Sequence, residues 1–236
     1  MRFEQKRAFV TGAASGIGAA TVDRLRAEGA TVVGVDIASA DGVDDCDVTD
    51  KASVDGAMAA AVEQMGGLDI CVNVAGVNVF AKFDELSVET LERHLSVNLV
   101  GPMLVTQAAL PHLRASRGNV VTVASISGLQ GQPYNSAYCA SKGGLLLLMR
   151  SIAVELASDG IRVNCVCPGG VDTPLSAGAT TSLPPDADFD LFARMSGVIP
   201  GFMPPTDVAG AIAYLASDDA ASVTGSSLVV DRGTLW

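Results

Sequence analysis

The stretch that most restricts how this chain folds runs from Arg7 to Gly29. A short apolar segment, Arg7 to Thr11, enters Thr11-Gly12-Ala13-Ala14-Ser15-Gly16-Ile17-Gly18. A helical pattern then continues through Glu28 and is closed by Gly29. Strand, glycine turn and helix in direct succession open a parallel α/β unit. The first N–H groups of a helix have no partner inside it, and glycines there let another group approach the backbone. Such a turn suits a pyrophosphate. The spacing over Gly12, Gly16 and Gly18 is Gly-x-x-x-Gly-x-Gly. Taken alone, the turn could also be a tight strand–helix joint that binds nothing.

The second apolar strand, Thr31 to Asp36, ends on an acid eighteen residues past Gly18. About 20 residues is the interval at which a carboxylate meets the adenosine ribose. A carboxylate there accepts from the ribose hydroxyls and repels a 2′-phosphate. No Arg or Lys from Ile37 to Ala40 offsets it, so NAD is expected in preference to NADP. Ala38 to Asp45 is too short for a crossover helix and predicts a turn. Cys46-Asp47-Val48 then reads as a strand end, with Asp47 placed toward an adenine amino group.

Further along, Ser53 to Met65 reads as a helix, and Leu68 to Asn73 as a strand leading into Ala75-Gly76. Asn73, at that strand's end, is expected to pin neighbouring backbone beside the cofactor. Ser87 caps a helix that carries His94 and Asn98. His94 is expected at the surface or a core edge, and Asn98 at a helix interruption ahead of Gly101-Pro102. Gly118 to Ser125 is a β-branched strand, so Ser125 falls on the rim where doubly wound sheets bind ligands. Arg162 to Cys167 is another strand, running into Pro168-Gly169. From Thr173-Pro174 to Pro205 the chain reads as a long irregular lid, with Leu175, Leu183, Phe189, Leu191, Phe192, Met195, Ile199, Phe202 and Met203 forming an apolar wall. Thr206 is expected to cap a last helix to Ala216, and Ser227 to Asp231 to close the sheet.

The chemistry concentrates at Tyr138 and Lys142, which lie one above the other if this stretch is helical. Lowering a tyrosine from about pH 10 by three units takes roughly 4 kcal/mol. An ammonium about 4 Å away, at an effective dielectric of ~20, supplies about that much. A phenol so lowered exchanges protons with an alcohol or carbonyl. The pair by itself more often means an aromatic at a core edge beside a solvated amine. The helix that follows, Gly143 to Ala157, is apolar nearly all round, so it is either deep core or an oligomer interface.

Composition narrows the partners. The 236-residue chain carries a formal charge of −11, which disfavours nucleic acid and anionic membranes. Its length fits one domain over 1–236, with a substrate-binding loop at about 173–205. The five cysteines are scattered and odd in number, and read as buried small hydrophobes in a reducing, cytoplasmic setting. Cys165 and Cys167 have no further ligand at metal spacing, so no metal is expected. The polar start, Met1 to Lys6, does not read as a signal peptide, and the apolar run at Leu145 to Met149 is far short of a membrane span.

Taken in order, these residues resemble the short-chain dehydrogenase/reductase family over nearly the whole chain. The resemblance is carried by Thr11 to Gly18, Asp36, Asp47-Val48, Asn73-Val74-Ala75-Gly76, Asn98, Ser125, Tyr138 with Lys142, Asn164, and Pro168-Gly169 with Thr173. It implies a doubly wound Rossmann-type α/β fold and a nicotinamide cofactor. It further implies Tyr138 as general acid/base, and Lys142 as the group that lowers its pKa and holds the nicotinamide ribose. Ser125 would steady the reacting oxygen, and Asn98 would anchor a water leading from Lys142 to solvent. The backbone around Val171 and the side chain of Thr173 would hold the carboxamide. Family members commonly assemble as tetramers, or as dimers. Val74 stands where the family usually has a second Asn, and Arg232 where it usually has Gly. The implied activity is NAD-linked oxidation of a secondary alcohol on a small apolar or cyclic molecule. A 3-oxoacyl-carrier ketoreductase using NADPH is the alternative, opposed by Asp36 and by the scarcity of basic residues. A non-catalytic dinucleotide sensor would be expected to lose Tyr138 or Lys142.

Overall fold

The computed structural model describes residues 1–193 and 197–235. Met195 of the expected lid wall and Trp236 lie outside the described residues. The chain alternates β1 (Arg7–Thr11), α1 (Gly16–Ala27), β2 (Thr31–Asp36), β3 (Val43–Asp45), α2 (Lys51–Met65), β4 (Ile70–Asn73), α3 (Val88–Leu95), α4 (Gly101–Ser116), β5 (Asn119–Val123), α5 (Ser136–Glu155), β6 (Arg162–Pro168), α6 (Pro174–Thr180), α7 (Asp190–Ala193), α8 (Pro205–Ala216) and β7 (Ser227–Val230). All seven strands are parallel, in the order β3-β2-β1-β4-β5-β6-β7. Parallel sheets need helices on both faces, so their strands read as continuous apolar runs. Every residue of β5 is buried. Val22 and Leu25 of α1 and Val208 and Ile212 of α8 pack one face. Met58 of α2, Val105 of α4 and Leu145 and Met149 of α5 pack the other.

Several expected boundaries move. The strand after β2 is Val43–Asp45, inside the stretch read as a turn, and Cys46-Asp47-Val48 follows it. No helix intervenes between β2 and β3. A three-residue strand needs a return of only about 10 Å, which the connection 37–42 spans. The last helix starts at Pro205 behind Pro204, so Thr206 lies within it. Thr173-Pro174 opens helix α6 rather than a loop. The Thr173 hydroxyl accepts from Ser176 N at 3.2 Å, and proline fits the first turn because it has no N–H to lose. Met203 is buried in the core, not on the lid wall. Ser136–Asp159 is long and apolar enough to span a membrane by length and composition. Eight residues of α5 within it are buried in the protein, Tyr138 and Lys142 among them.

Candidate active site

The chain leaves β1 toward β2 and β3 on one side and continues from β4 toward β5 on the other. The strand order therefore reverses between β1 and β4, and a crevice opens beyond their carboxyl ends. Thr11 fastens that crevice: its hydroxyl oxygen accepts from Val74 N at 3.0 Å and Ala75 N at 3.2 Å. Gly12 and Gly16 have φ of +68° and +53°, which L side chains rarely adopt. At Gly18 a Cβ would lie 1.9 Å from the Gly12 carbonyl oxygen. The turn is closed to any side chain there and leaves its backbone bare, as a dinucleotide cradle requires. Asp36 braces it from β2: one carboxylate oxygen accepts from Ala14 N and the other from Ala38 N, both at 3.0 Å.

A cleft of about 620 Å³ runs from this turn to Lys142. It is lined by Gly12, Ser15, Gly16, Ile17, Gly18, Asp36, Asp47, Val48, Ala75, Gly76, Ser125, Tyr138, Lys142, Pro168, Gly169, Val171 and Thr173, all expected from the sequence. Asn73 and Asn98 are not on its wall. Asn73 is buried behind it and donates to the hydroxyls of Thr106 and Thr122, each at 3.2 Å, so it ties β4 to α4 and β5. Asn98 sits on a π-helical turn, Ser96–Val100, between α3 and α4. Its side chain accepts from Val77 N at 2.9 Å and donates to Val77 O at 3.0 Å and Ser141 Oγ at 3.1 Å. Arg93, Ser96 and Val97 also line the cleft and were missed. They lie at the end of α3 and on the π-helical turn after it, and α3 packs against α5, a pairing that no local pattern specifies.

Ser125, Tyr138 and Lys142 meet where this cleft joins a second one. The Lys142 ammonium lies 5.7 Å from the centre of the Tyr138 ring, and donates to Val123 O at 3.0 Å. Burial dominates both groups. It pushes the Tyr138 hydroxyl up to about 12, partly offset by the neighbouring Ser125 hydroxyl. It brings the Lys142 amine down to about 8, partly offset by Cys165 and Cys167. The lowered phenol expected from the four-residue spacing is therefore not what the protein's own groups produce. Desolvation outweighs an ammonium set over the ring face. His94, expected at the surface or a core edge, is fully buried with its ring edge-on to Tyr138 at 6.3 Å. Its Nδ1 donates to Thr90 O at 2.7 Å and its Nε2 accepts from Val79 N at 3.2 Å, which fixes a neutral imidazole. Burial lowers its pKa in the same sense.

The second cavity, about 350 Å³, lies on the far side of Ser125 and Tyr138 under the lid. Leu175, Leu183, Phe189, Phe192 and Phe202 of the expected wall line it, whereas Leu191 and Ile199 do not and are exposed. Phe192 packs against Phe80 at 6.2 Å and Tyr134 at 6.0 Å. Phe80 N donates to Ser182 Oγ at 2.8 Å, and Lys82 pairs with Asp186. At its far end the lid is held by Arg232, which donates to Pro200 O at 2.8 Å and Gly201 O at 3.3 Å.

Known proteins resemble this chain over nearly its whole length. A family model described as enoyl-(acyl carrier protein) reductase matches residues 12–234. Cis-4-hydroxycyclohexanecarboxylate dehydrogenase of Sinomonas cyclohexanicum is 43% identical, over 98% of this chain and 97% of that protein. Meso-2,3-butanediol dehydrogenase of Serratia marcescens is 35% identical, over 99% and 96%. A 3-oxoacyl-[acyl-carrier-protein] reductase of Thermotoga maritima is also 35% identical, over 99% of both. Among solved structures, ligand-free aldohexose dehydrogenase of Thermoplasma acidophilum superposes with a TM-score of 0.87 at 31% identity, over 98% of this chain and 94% of that one. The chain belongs to the short-chain dehydrogenase/reductase family, oxidoreductases of CH–OH groups that draw on a nicotinamide dinucleotide.

Proposed function

We propose that this protein is an NAD-linked dehydrogenase of a secondary alcohol on a small, apolar or cyclic molecule, built as one domain with residues 173–205 as its substrate lid. The observation that carries this reading is the placement of Ser125 and Tyr138 on the shared wall of two cavities, one glycine-lined and one aromatic. The bare backbone at Gly12 to Gly18 fits a pyrophosphate, and Asp36 fits the adenosine ribose hydroxyls. Asp47 and Val48 would flank the adenine, and Val171 and Thr173 the carboxamide. When bound, the dinucleotide supplies the hydride chemistry. Tyr138 exchanges the proton of the substrate oxygen, and Ser125 donates to that oxygen as charge develops. Lys142, whose ammonium donates to Val123 O, would hold the nicotinamide ribose and place its charge beside the phenol. Asn98 fixes the backbone at Val77 and the helix carrying Lys142, the arrangement in which it would also anchor a water.

The aromatic cavity and the names of the cyclohexane- and butanediol-acting relatives support a small alcohol. Leu147 and Val154 lie seven residues apart on α5, 67% and 80% exposed, which supports pairing with a second copy into a dimer or tetramer. The Thermotoga relative favours a second reading, a 3-oxoacyl-carrier reductase using NADPH. Titrating the protein with NADH and with NADPH, followed by cofactor fluorescence, separates the two. NADH is expected to bind at least tenfold tighter, and Asp36→Ala with Ile37→Arg to reverse the preference. Equal or tighter NADPH binding would sink the NAD assignment and move the reductase reading forward.

A further inference from the structure

Among the described residues, four other than glycine hold a left-handed backbone: Gln5, Arg117, Tyr134 and Arg232, with φ of +64°, +52°, +58° and +57°. L side chains rarely adopt this conformation, so each costs free energy that another contact must offset. Gln5 lies in the turn closed by Lys6 N on Phe3 O, and Arg117 ends α4 as its left-handed cap. Neither lines a cavity. Tyr134 and Arg232 differ from them, because each turns its side chain onto the lid.

Tyr134 holds the first limb. Its hydroxyl accepts from Asp188 N at 2.9 Å, and its ring packs on Phe192 at 6.0 Å. Its carbonyl accepts from Ala81 N at 2.8 Å, so the residue is itself tied to the loop beside Phe80. Phe189 packs on Phe192 at 6.2 Å, and both rings line the aromatic cavity. Arg232 holds the second limb. Its guanidinium donates to Pro200 O at 2.8 Å and Gly201 O at 3.3 Å, and its carbonyl accepts from Ile199 N at 3.1 Å. Phe202 comes next in the chain and lies over Gly170, where a Cβ would come within 2.6 Å of its ring. Phe202 and Gly170 both line the cavity. A glycine in place of Tyr134 or Arg232 would spare the backbone and lose the hold on the lid.

We propose that Tyr134 and Arg232 are positioning residues for the substrate, two clasps that fix the aromatic wall from opposite limbs of the lid. Neither touches the reacting atoms. Tyr134 acts through Phe192, and Arg232 through Phe202. This rests on the aromatic cavity being the substrate side of a dehydrogenase.

The test measures kcat and KM of wild type, Tyr134→Phe, Arg232→Gly and the double variant. The substrates are cyclohexanol and meso-2,3-butanediol, each supplied with NAD and with NADP. Tyr134→Phe keeps the ring and loses only the hydroxyl. Arg232→Gly removes the guanidinium while relieving the backbone, so its melting temperature should stay close to that of wild type. Each single variant should raise KM for the better alcohol about fivefold, the worth of one hydrogen bond, with kcat within about twofold. The double variant should raise it about twenty-five-fold, because the two clasps share no partner. Arg232→Lys, which keeps a donor, should recover part of the Arg232→Gly loss. The NADH dissociation constant should stay within about twofold throughout. Unchanged KM in both single variants, or NADH affinity falling in step with KM, would overturn the assignment and leave the dehydrogenase reading intact. Hydrogen exchange needs no turnover. The Asp188 amide should exchange about tenfold faster in Tyr134→Phe, and the Ile199 amide in Arg232→Gly, with the β5 amides unchanged. Faster lid exchange in an enzyme that oxidises neither alcohol would support the clasps while the dehydrogenase reading failed. Unchanged lid exchange would overturn the clasps whatever the turnover.

Discussion

The two cavities that meet at Tyr138 are built in opposite ways. The cofactor side is made of strand ends and the turns that leave them. Its shape is set by backbone: Gly12 and Gly16 at positive φ, the missing Cβ at Gly18, and backbone N–H groups donated to Thr11 and Asp36. The substrate side is made of side chains from the 77–80 loop, the 132–134 loop and the lid, joined by ring contacts and few hydrogen bonds. Phe189 and Phe202 remain 67% and 62% exposed. Backbone-built sites tolerate almost no change and bind a constant ligand. Side-chain-built sites can be re-lined without disturbing the sheet, which is how one fold serves many substrates.

Tyr138 lies on the seam, so its loss should separate the two sides most sharply. Tyr138→Phe is expected to lower turnover about 10²–10⁴-fold while NADH affinity holds within twofold. Turnover retained in this variant would reject the acid/base role. In the cofactor-free protein, the phenolate band present in wild type and missing from Tyr138→Phe should emerge only above pH 10. The sign follows from burial, which disfavours the charged phenolate and moves the titration up toward about 12. A band already present at pH 8 would mean that Lys142 governs the phenol before any cofactor arrives.

Gly18→Ala attacks the backbone-built side. The added Cβ meets the Gly12 carbonyl, a backbone atom that cannot move aside cheaply. Overpacking of this kind costs about 1–3 kcal/mol, so thermal stability should fall and NADH binding weaken by about tenfold or more. Unchanged NADH affinity would show that the turn does not cradle the dinucleotide. Phe192→Ala attacks the side-chain-built side and should do least. Losing its contacts with Phe80 and Tyr134 should raise the substrate KM about fivefold and leave the NADH dissociation constant alone. A matching loss of NADH affinity would mean that the two cavities are not independent.

Local chemistry was enough for much of the fold and for most of the cofactor wall. Strand-turn-helix order, the glycine spacing and the acid closing β2 all act over a few residues, and their consequences could be read in a line of sequence. Tyr138 and Lys142 were legible for the same reason, four residues apart on one helix. Their electrostatics were not. Burial depth decides whether a phenol is lowered or raised, and depth is set by how α5 seats against β5 and β6, far away in the chain. Asn73 faced Thr106 and Thr122 instead of the cleft because strand pairing, not strand position, chooses its neighbours. His94, read as a surface or core-edge residue, is fully buried because Thr90 O and Val79 N satisfy both nitrogens of a neutral imidazole. The sequence by itself determined the parallel α/β plan and the machinery for a dinucleotide and a proton, because these rest on contacts within single turns. Only the tertiary structure decided which side chains line the two cavities, because that depends on where segments separated by a hundred residues come to rest against one another.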